Sequence, residues 1–404
     1  MRDPYRYAEQ MIIVPLPLVP CLALFNGATS VADAKEMLVR VAGDVRIGSV
    51  LDGLHDALSS GGFLEDASFE TMRTERQRVF RESSRREPAH AGGAYPAEAA
   101  LLQKTLEERL NGGSPTHRAR AKDLLGIAAP HVSPEGGWSC YQAAYGALDP
   151  SLAEKTCVIL GTSHYGEPDA FGLTRKPFLT PLGEASVDLG VVDTLVEKGG
   201  PAVRLEDYCH AVEHSIEFQV VFLQAIFGPR VRIVPILCGP LARGMRTGGR
   251  PEEDAGVAGF LSALAELQAR EGSGLLWVLG VDMAHVGRRY GDEQAARAQE
   301  AGMVDVARAD RERCESIARG DADGFWSQVH EGRGDDVLNW CGTSPFYAFL
   351  RSVAPASGEL LRYEQWNIDE ESVVSFAGMA FYKAEEQVDR SNRDREKTEE
   401  RDSE

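Results

Sequence analysis

Three short apolar runs, each ending in a histidine-bearing turn, constrain this chain more than any other feature. They are Leu124-Leu125-Gly126-Ile127-Ala128-Ala129-Pro130-His131, Cys157-Val158-Ile159-Leu160-Gly161-Thr162-Ser163-His164, and the run from Leu275 through Gly280-Val281-Asp282-Met283-Ala284 to His285. Continuous apolar runs without alternation are the mark of strands buried on both faces, in sheets covered by helices. The pattern therefore implies an α/β fold: a central, mostly parallel or mixed sheet flanked by helices. In such sheets ligands gather beyond the carboxyl ends of the strands. Three imidazoles delivered there could converge on one ion, histidine being the commonest metal ligand. Three unrelated loop histidines are the plainer reading, but the shared local context favours convergence.

With 404 residues, of which 43% are hydrophobic, the chain is long enough for two domains with packed cores. A formal charge of −19 argues against non-specific binding to nucleic acid or to an anionic membrane, which needs basic patches. Cys21, Cys140, Cys157, Cys209, Cys238, Cys314 and Cys341 form no CxxC pair. That pattern suits a reducing, cytoplasmic setting. Met11–Phe25 is apolar behind Arg2 and Arg6, but Pro15, Pro17 and Pro20 interrupt it, against a signal peptide. No run approaches the ~20 apolar residues that span a bilayer.

Residues 1–88 read as a small winged-helix-like domain with a connecting helix. Asn26-Gly27 marks a turn, and Ser30 is placed to cap a helix through Val41. Val45–Leu58 sets Val50, Leu51, Leu54 and Leu58 at helical spacing, Gly61-Gly62 stops it, and Phe63-Leu64 follows as a short strand. The second helix carries Asp52, His55 and Asp56 rather than a basic face. A docking module for a partner or peptide, or a structural appendage, fits better than a DNA reader. Glu75, Arg76, Arg78, Arg81, Arg85 and Arg86 then form the solvated face of the connecting helix.

Residues 89–384 form the α/β domain, opened by Ala91-Gly92-Gly93-Ala94-Tyr95-Pro96. Helices are expected over Ala97–Leu110, stopped by Asn111-Gly112-Gly113, and over residues 255–270. Ala295–Ala318 is one long helix or two short ones, and Val231–Leu237 and Val373–Tyr382 are further strands. Residues 385–404 are charged and nearly free of large apolar side chains, as in a disordered acidic tail.

Two more clusters carry chemistry. Glu213-His214-Ser215-Ile216-Glu217 opens an apolar helical stretch running to Phe227, so His214 and Glu217, three apart, share one helical face. They could be a ligand with its orienting carboxylate, an acid/base pair, or an ion pair. In Trp340-Cys341-Gly342-Thr343-Ser344-Pro345 the thiol precedes a helix, where its pKa can fall. A small buried hydrophobe is the alternative reading.

Taken in order, Ala129-Pro130-His131, Gly161-Thr162-Ser163-His164, Glu213-His214-Ser215-Ile216-Glu217, Asp282-Met283-Ala284-His285 and Cys341-Gly342 resemble the Memo family. Leu173-Thr174-Arg175-Lys176 and Thr180-Pro181-Leu182-Gly183 add to the match, which covers residues ~90–384. The resemblance is strongest to the bacterial branch called AmmeMemoRadiSam system protein B. It implies a fold similar to class III extradiol dioxygenases, which hold non-haem iron(II) with two histidines and a carboxylate. Carried onto this chain, the metal ligands are His131, His164 and Cys341, with Asp282, His285 and His214 lining the same pocket. His285 or His214 would move protons, and Asp282 or Glu217 would orient an imidazole. Iron(II) is the first expectation for the ion, with copper or zinc as alternatives, because thiolate in place of carboxylate favours softer metals. Ser133 stands where many bacterial members carry aspartate, with Glu135 the nearby substitute.

The resemblance thus implies a metal-dependent redox enzyme acting on a small molecule. The rivals are a non-enzymatic metal- or peptide-binding partner of a radical-SAM protein, and a zinc hydrolase.

Overall fold

The computed structural model describes residues 1–42, 47–110, 120–330, 338–355 and 357–383. The start of the second helix at Val45, the stop at Asn111-Gly112-Gly113 and the tail over 385–404 lie outside the described residues. The chain divides into two compact units, Met1–Arg86 with Tyr208–Val212, and Glu87–Asp207 with the chain from Glu213 onward.

The smaller unit is helical. Leu16–Leu24 winds as a 3-10 helix with Pro20 inside it, prolines lacking the N–H that an α-helical ladder needs. Helices follow over Val31–Ala42, Ile47–Ser60 and Ala67–Glu82. Ser30 Oγ accepts the N–H of Asp33 at 3.1 Å and donates to its carboxylate at 2.6 Å, closing the first helix as a cap. Leu51, Leu54 and Leu58 pack on Ala34 and Cys21, whereas Val50 is left 43% exposed.

The strand expected at Phe63-Leu64 does not form. Gly62 adopts φ +75°, the N–H of Phe63 turns back to Leu58 O at 2.8 Å, and both side chains pack on the helical core. Among the described residues of this unit there is no β-strand, so the winged-helix reading lacks its wing. Arg73 and Arg78 pair with Glu70, Glu75 and Glu82 on an exposed face, as a solvated charge run does. Arg86 departs from it: the side chain is buried, and Nε donates to His210 O at 2.8 Å. The segment Tyr208–Val212 belongs here because Tyr208 stacks on Tyr7 at 5.0 Å and meets Phe80 edge-on at 6.0 Å.

The larger unit is built on one mixed sheet. Its strands are β1 Leu124–Ala129, β2 Thr156–Thr162, β3 Phe171–Leu173, β4 Phe178–Thr180, β5 Gly183–Val187, β6 Val203–Leu205, β7 Arg232–Cys238, β8 Leu275–Gly280, β9 His285–Gly287, β10 Ser357–Asn367 and β11 Ser372–Tyr382. The order across the sheet is β10-β11-β1-β8-β2-β7-β3-β6, with β4, β5 and β9 joined to its margins. Its centre, β1-β8-β2-β7, is parallel, and β11 adds to β1 antiparallel.

Every residue of β1, β2, β8 and β11 is buried, which is why these segments read as unbroken apolar runs. On one face, helices Ala255–Glu271 and Thr343–Val353 pack on Val158, Leu160, Trp277 and Leu279. Pro134–Tyr145 and Glu217–Phe227 also pack on the sheet. Ala295–Ala318 is helical only from Ala301. The edge strand β10 had no signature in the sequence, because it is half-buried and rich in polar residues.

Candidate metal centre

The central strands end level. Ala129 of β1 pairs with Gly280 of β8, and Gly280 pairs with Gly161 of β2. Two or three residues further along each strand come His131, Asp282 and His164, so the parallel register itself delivers the three side chains to one edge. The turn at Ser215-Ile216 presses on that edge. Ser215 Oγ donates to Thr162 O at 2.7 Å, and a Cβ at position 280 would lie 2.1 Å from Ser215 O. Glycine is therefore required where the loop crosses β8.

His131 is buried and held at three points. Its backbone N–H donates to Asp282 Oδ1 at 2.9 Å, the next N–H, of Val132, donates to the same oxygen at 3.2 Å, and Nδ1 faces Gly280 O at 2.9 Å. A carbonyl only accepts, so Nδ1 carries the proton and Nε2 presents its lone pair to the site. His164, with 28% of its side chain exposed, is held by Glu213: its backbone N–H reaches Oε1 at 2.6 Å and Nδ1 reaches Oε2 at 2.9 Å. Burial alone would lower the pKa of His164, but the Glu213 carboxylate and Cys341 outweigh it and raise it well above the ordinary value. His214 completes a triangle: ring centres lie 5.0 Å apart for His131–His164 and 5.1 Å for each of the other two pairs.

One nitrogen from each of His131, His164 and His214 lies within 4.8 Å of the others, a cluster that could hold a metal ion. Bonds of about 2 Å would draw the three rings onto one ion with small adjustments.

Cys341 borders this cluster. Its Sγ is 3.3 Å from His131 Nε2 and 3.6 Å from Asp282 O. Its loop is fastened by Thr162 Oγ1 donating to Cys341 O at 3.1 Å and by Gly342 N–H donating to Asp282 O at 3.0 Å. Burial pushes this thiol up, yet His131 and His164 prevail and bring it down to about 7. Cys157, wholly in the core, is pushed up to about 12 by burial instead.

Asp282 is buried, its pKa pushed up to about 6 by desolvation against the pull of His285 and the two N–H groups it accepts. His285 faces Met283 O through Nδ1 at 2.9 Å and meets Tyr290 edge-on at 4.8 Å. Burial lowers its pKa, with Asp282 acting the other way.

Glu217 has a different place. The segment from Glu213 to Ile216 is not helical, and the helix begins at Glu217 itself, so the helical spacing between His214 and Glu217 does not apply. The buried carboxylate of Glu217 accepts the N–H groups of Ala89 at 3.1 Å and His90 at 2.9 Å, and the hydroxyl of Tyr95. It thereby seats His90, whose ring meets His214 edge-on at 5.6 Å and Phe218 at 5.7 Å. Sequence reasoning overlooked Glu213 and His90. Glu213 adjoins His214 within a motif already singled out, whereas His90 stands in an unremarkable Ala-His-Ala context.

A Memo-like protein family model matches residues 86–380. A MEMO1 family protein of Aquifex aeolicus is 26% identical over 385 residues, covering 95% of each chain. Another, of Methanosarcina mazei, is 29% identical over 300 residues, 73% of this chain and 98% of that one. A solved structure of an uncharacterized Escherichia coli K12 protein covers 57% of this chain and 89% of its own at 12% identity, with a TM-score of 0.36, too low to bear on the fold. With the family model matching well over half of the chain and every side chain of the histidine cluster, the chain belongs to the Memo family.

Proposed function

We propose that this chain is a metal-dependent redox enzyme that holds iron(II), or copper, at His131, His164 and Cys341. The observation that carries the reading is the preparation of the donors. Nδ1 of His131 and of His164 is tied to Gly280 O and to Glu213, which leaves Nε2 of each as the donor atom, and the His131 Nε2 stands 3.3 Å from a thiol at about 7. Iron(II) in a two-histidine set supplies Lewis acidity and one-electron redox chemistry. Glu213 fixes the tautomer of His164 and raises its basicity. Asp282, at about 6, is suited to exchange protons near neutrality, and His285 acts on it electrostatically from the same turn. His214 stands close enough to serve as a further donor or as a proton carrier.

The three-imidazole cluster favours a second reading, a zinc hydrolase in which His214 replaces Cys341 as third ligand. A non-enzymatic role beside a radical-SAM protein, with the helical unit docking a peptide, rests on the resemblance alone. The free cysteines suit a cytoplasmic setting.

The test is metal analysis of protein purified without oxygen, followed by oxygen uptake with catechols and by an ester-hydrolysis assay. Bound iron or copper with substrate-dependent oxygen uptake supports the redox enzyme. Zinc with hydrolysis supports the second reading, and metal with neither activity points to the non-enzymatic role.

A further inference from the structure

Asp310 is wholly buried in the Ala301–Ala318 helix, a place where a carboxylate persists only with donors around it. Oδ1 accepts the indole N–H of Trp340 at 2.6 Å, and Oδ2 accepts the hydroxyls of Tyr363 at 2.7 Å and Ser375 at 2.6 Å. Trp340 is the residue before Cys341. Ser375 Oγ in turn accepts the N–H of Ala284 at 2.8 Å. Backbone bonds double that link: Ser375 N–H to Ala284 O at 2.9 Å, and Met283 N–H to Ser375 O at 2.8 Å. One carboxylate therefore ends two struts, one to the neighbour of the thiol and one to the turn that carries Asp282 and His285.

We infer that Asp310 is a positioning residue: through Trp340 it holds the Cys341 thiol against His131, and through Ser375 it holds the Asp282–His285 turn. The first half rests on the reading of Cys341 as a donor to the ion. Nothing about position 310 marked it in the sequence, since Ala309-Asp310-Arg311 sits in a helix otherwise rich in exposed charge.

Trp340→Phe cuts the first strut and retains an aromatic ring where the wild-type indole lies 5.9 Å from Phe325, 6.0 Å from Phe346 and 5.2 Å from the guanidinium of Arg313. The experiment titrates cobalt(II) into the full-length chain and follows the thiolate-to-cobalt absorption in wild type, Trp340→Phe, Cys341→Ser and the double variant. Trp340→Phe should weaken cobalt binding by about 10–100-fold and shift the thiolate band. In the Cys341→Ser background the same change should cost nothing further. Ser375→Ala, which cuts the other strut, should weaken cobalt in both backgrounds.

An unchanged band and affinity in Trp340→Phe, or an equal loss with and without the thiol, overturns the inference, because either result describes mere support of the fold. A wild type that binds cobalt without any thiolate band fails the earlier reading of Cys341 instead. The strut is then read in metal-free protein from the rate of alkylation at Cys341, the one cysteine of the seven that is not buried. A several-fold change in that rate in Trp340→Phe upholds the positioning role, and an unchanged rate overturns it.

Discussion

Glu213 receives two bonds from His164, the backbone N–H at 2.6 Å and the ring Nδ1 at 2.9 Å. Neither residue is part of a helix or strand, so this carboxylate is what fixes the ring's direction. Glu213→Gln keeps the shape and removes the charge. Metal affinity should fall by about 10–100-fold, the usual effect of losing a partner behind a ligand histidine. Competition with a chelator of known affinity measures it. Unchanged affinity would mean that His164 is not a ligand or is oriented without Glu213.

Cys341 separates the two ligand sets open to this site. As a donor, its replacement by serine should abolish any thiolate-to-metal charge-transfer band and weaken binding, while Cys341→Asp should restore a two-histidine, one-carboxylate set and favour iron(II) over copper(I). His214→Ala should then leave the ion in place. If His131, His164 and His214 are the ligands, the two outcomes exchange. Spectra and metal content of the three variants decide between them.

Gly280 lies where the Ser215 turn crosses the sheet, and a Cβ there would stand 2.1 Å from Ser215 O, a backbone atom that cannot swing aside. Gly280→Ala should destabilise the larger unit by about 1–3 kcal/mol, the range for overpacking a tight interior. The loss should appear as a lower urea midpoint with unchanged slope. Because the displaced turn carries Glu213 and His214, metal affinity should fall as well.

Asp254 caps the helix Ala255–Glu271 by accepting from Val257 N–H at 3.2 Å and Gly256 N–H at 2.9 Å. The bond from Val257 leads the forces that hold its pKa below the ordinary value of 3.8; burial, next in size, works against it, and Gly256 and Arg243 tip the balance downward. A depressed folded-state pKa gives stability that is present above 3.8 and is lost as the pH falls through the folded value. Asp254→Ala should therefore cost about 1 kcal/mol at pH ~7 and progressively less in acid, while Asp254→Asn keeps the cap without the pH dependence. Urea melts at neutral and acid pH measure both.

The central strands were legible because burial on both faces leaves a continuous apolar run that polar edges cannot imitate. Leu124–Ala129, Val158–Leu160 and Leu275–Gly280 are examples. Edge strand β10 escaped notice for the converse reason: its residues are partly exposed and many are polar, so its composition resembles a loop's. Phe63-Leu64 misled in the other direction. Two apolar residues after a glycine pair satisfy a strand template, but the N–H of Phe63 goes back to Leu58 O in the helix it follows and Leu64 O accepts from Asp66 N–H.

The sequence by itself determined that three histidines follow three buried strands, and local hydrophobic pattern is enough for that because each run is short and self-contained. Which residues meet beyond those strands was decided only by the tertiary structure. The register Ala129–Gly280–Gly161 levels the strand ends, and the Ser215 turn brings His214 to His131 across a gap of 83 residues in the chain. Glu213 stands behind His164, and the helical spacing of His214 and Glu217 does not hold, because the helix begins four residues later than that spacing assumes. Asp310 meets Trp340 and Ser375 through contacts between elements 30 and 65 residues away, and no local pattern encodes such a meeting. Side-chain partners of this kind follow from where the backbone of the whole sheet runs, and that path is a property of the packed core rather than of any one segment.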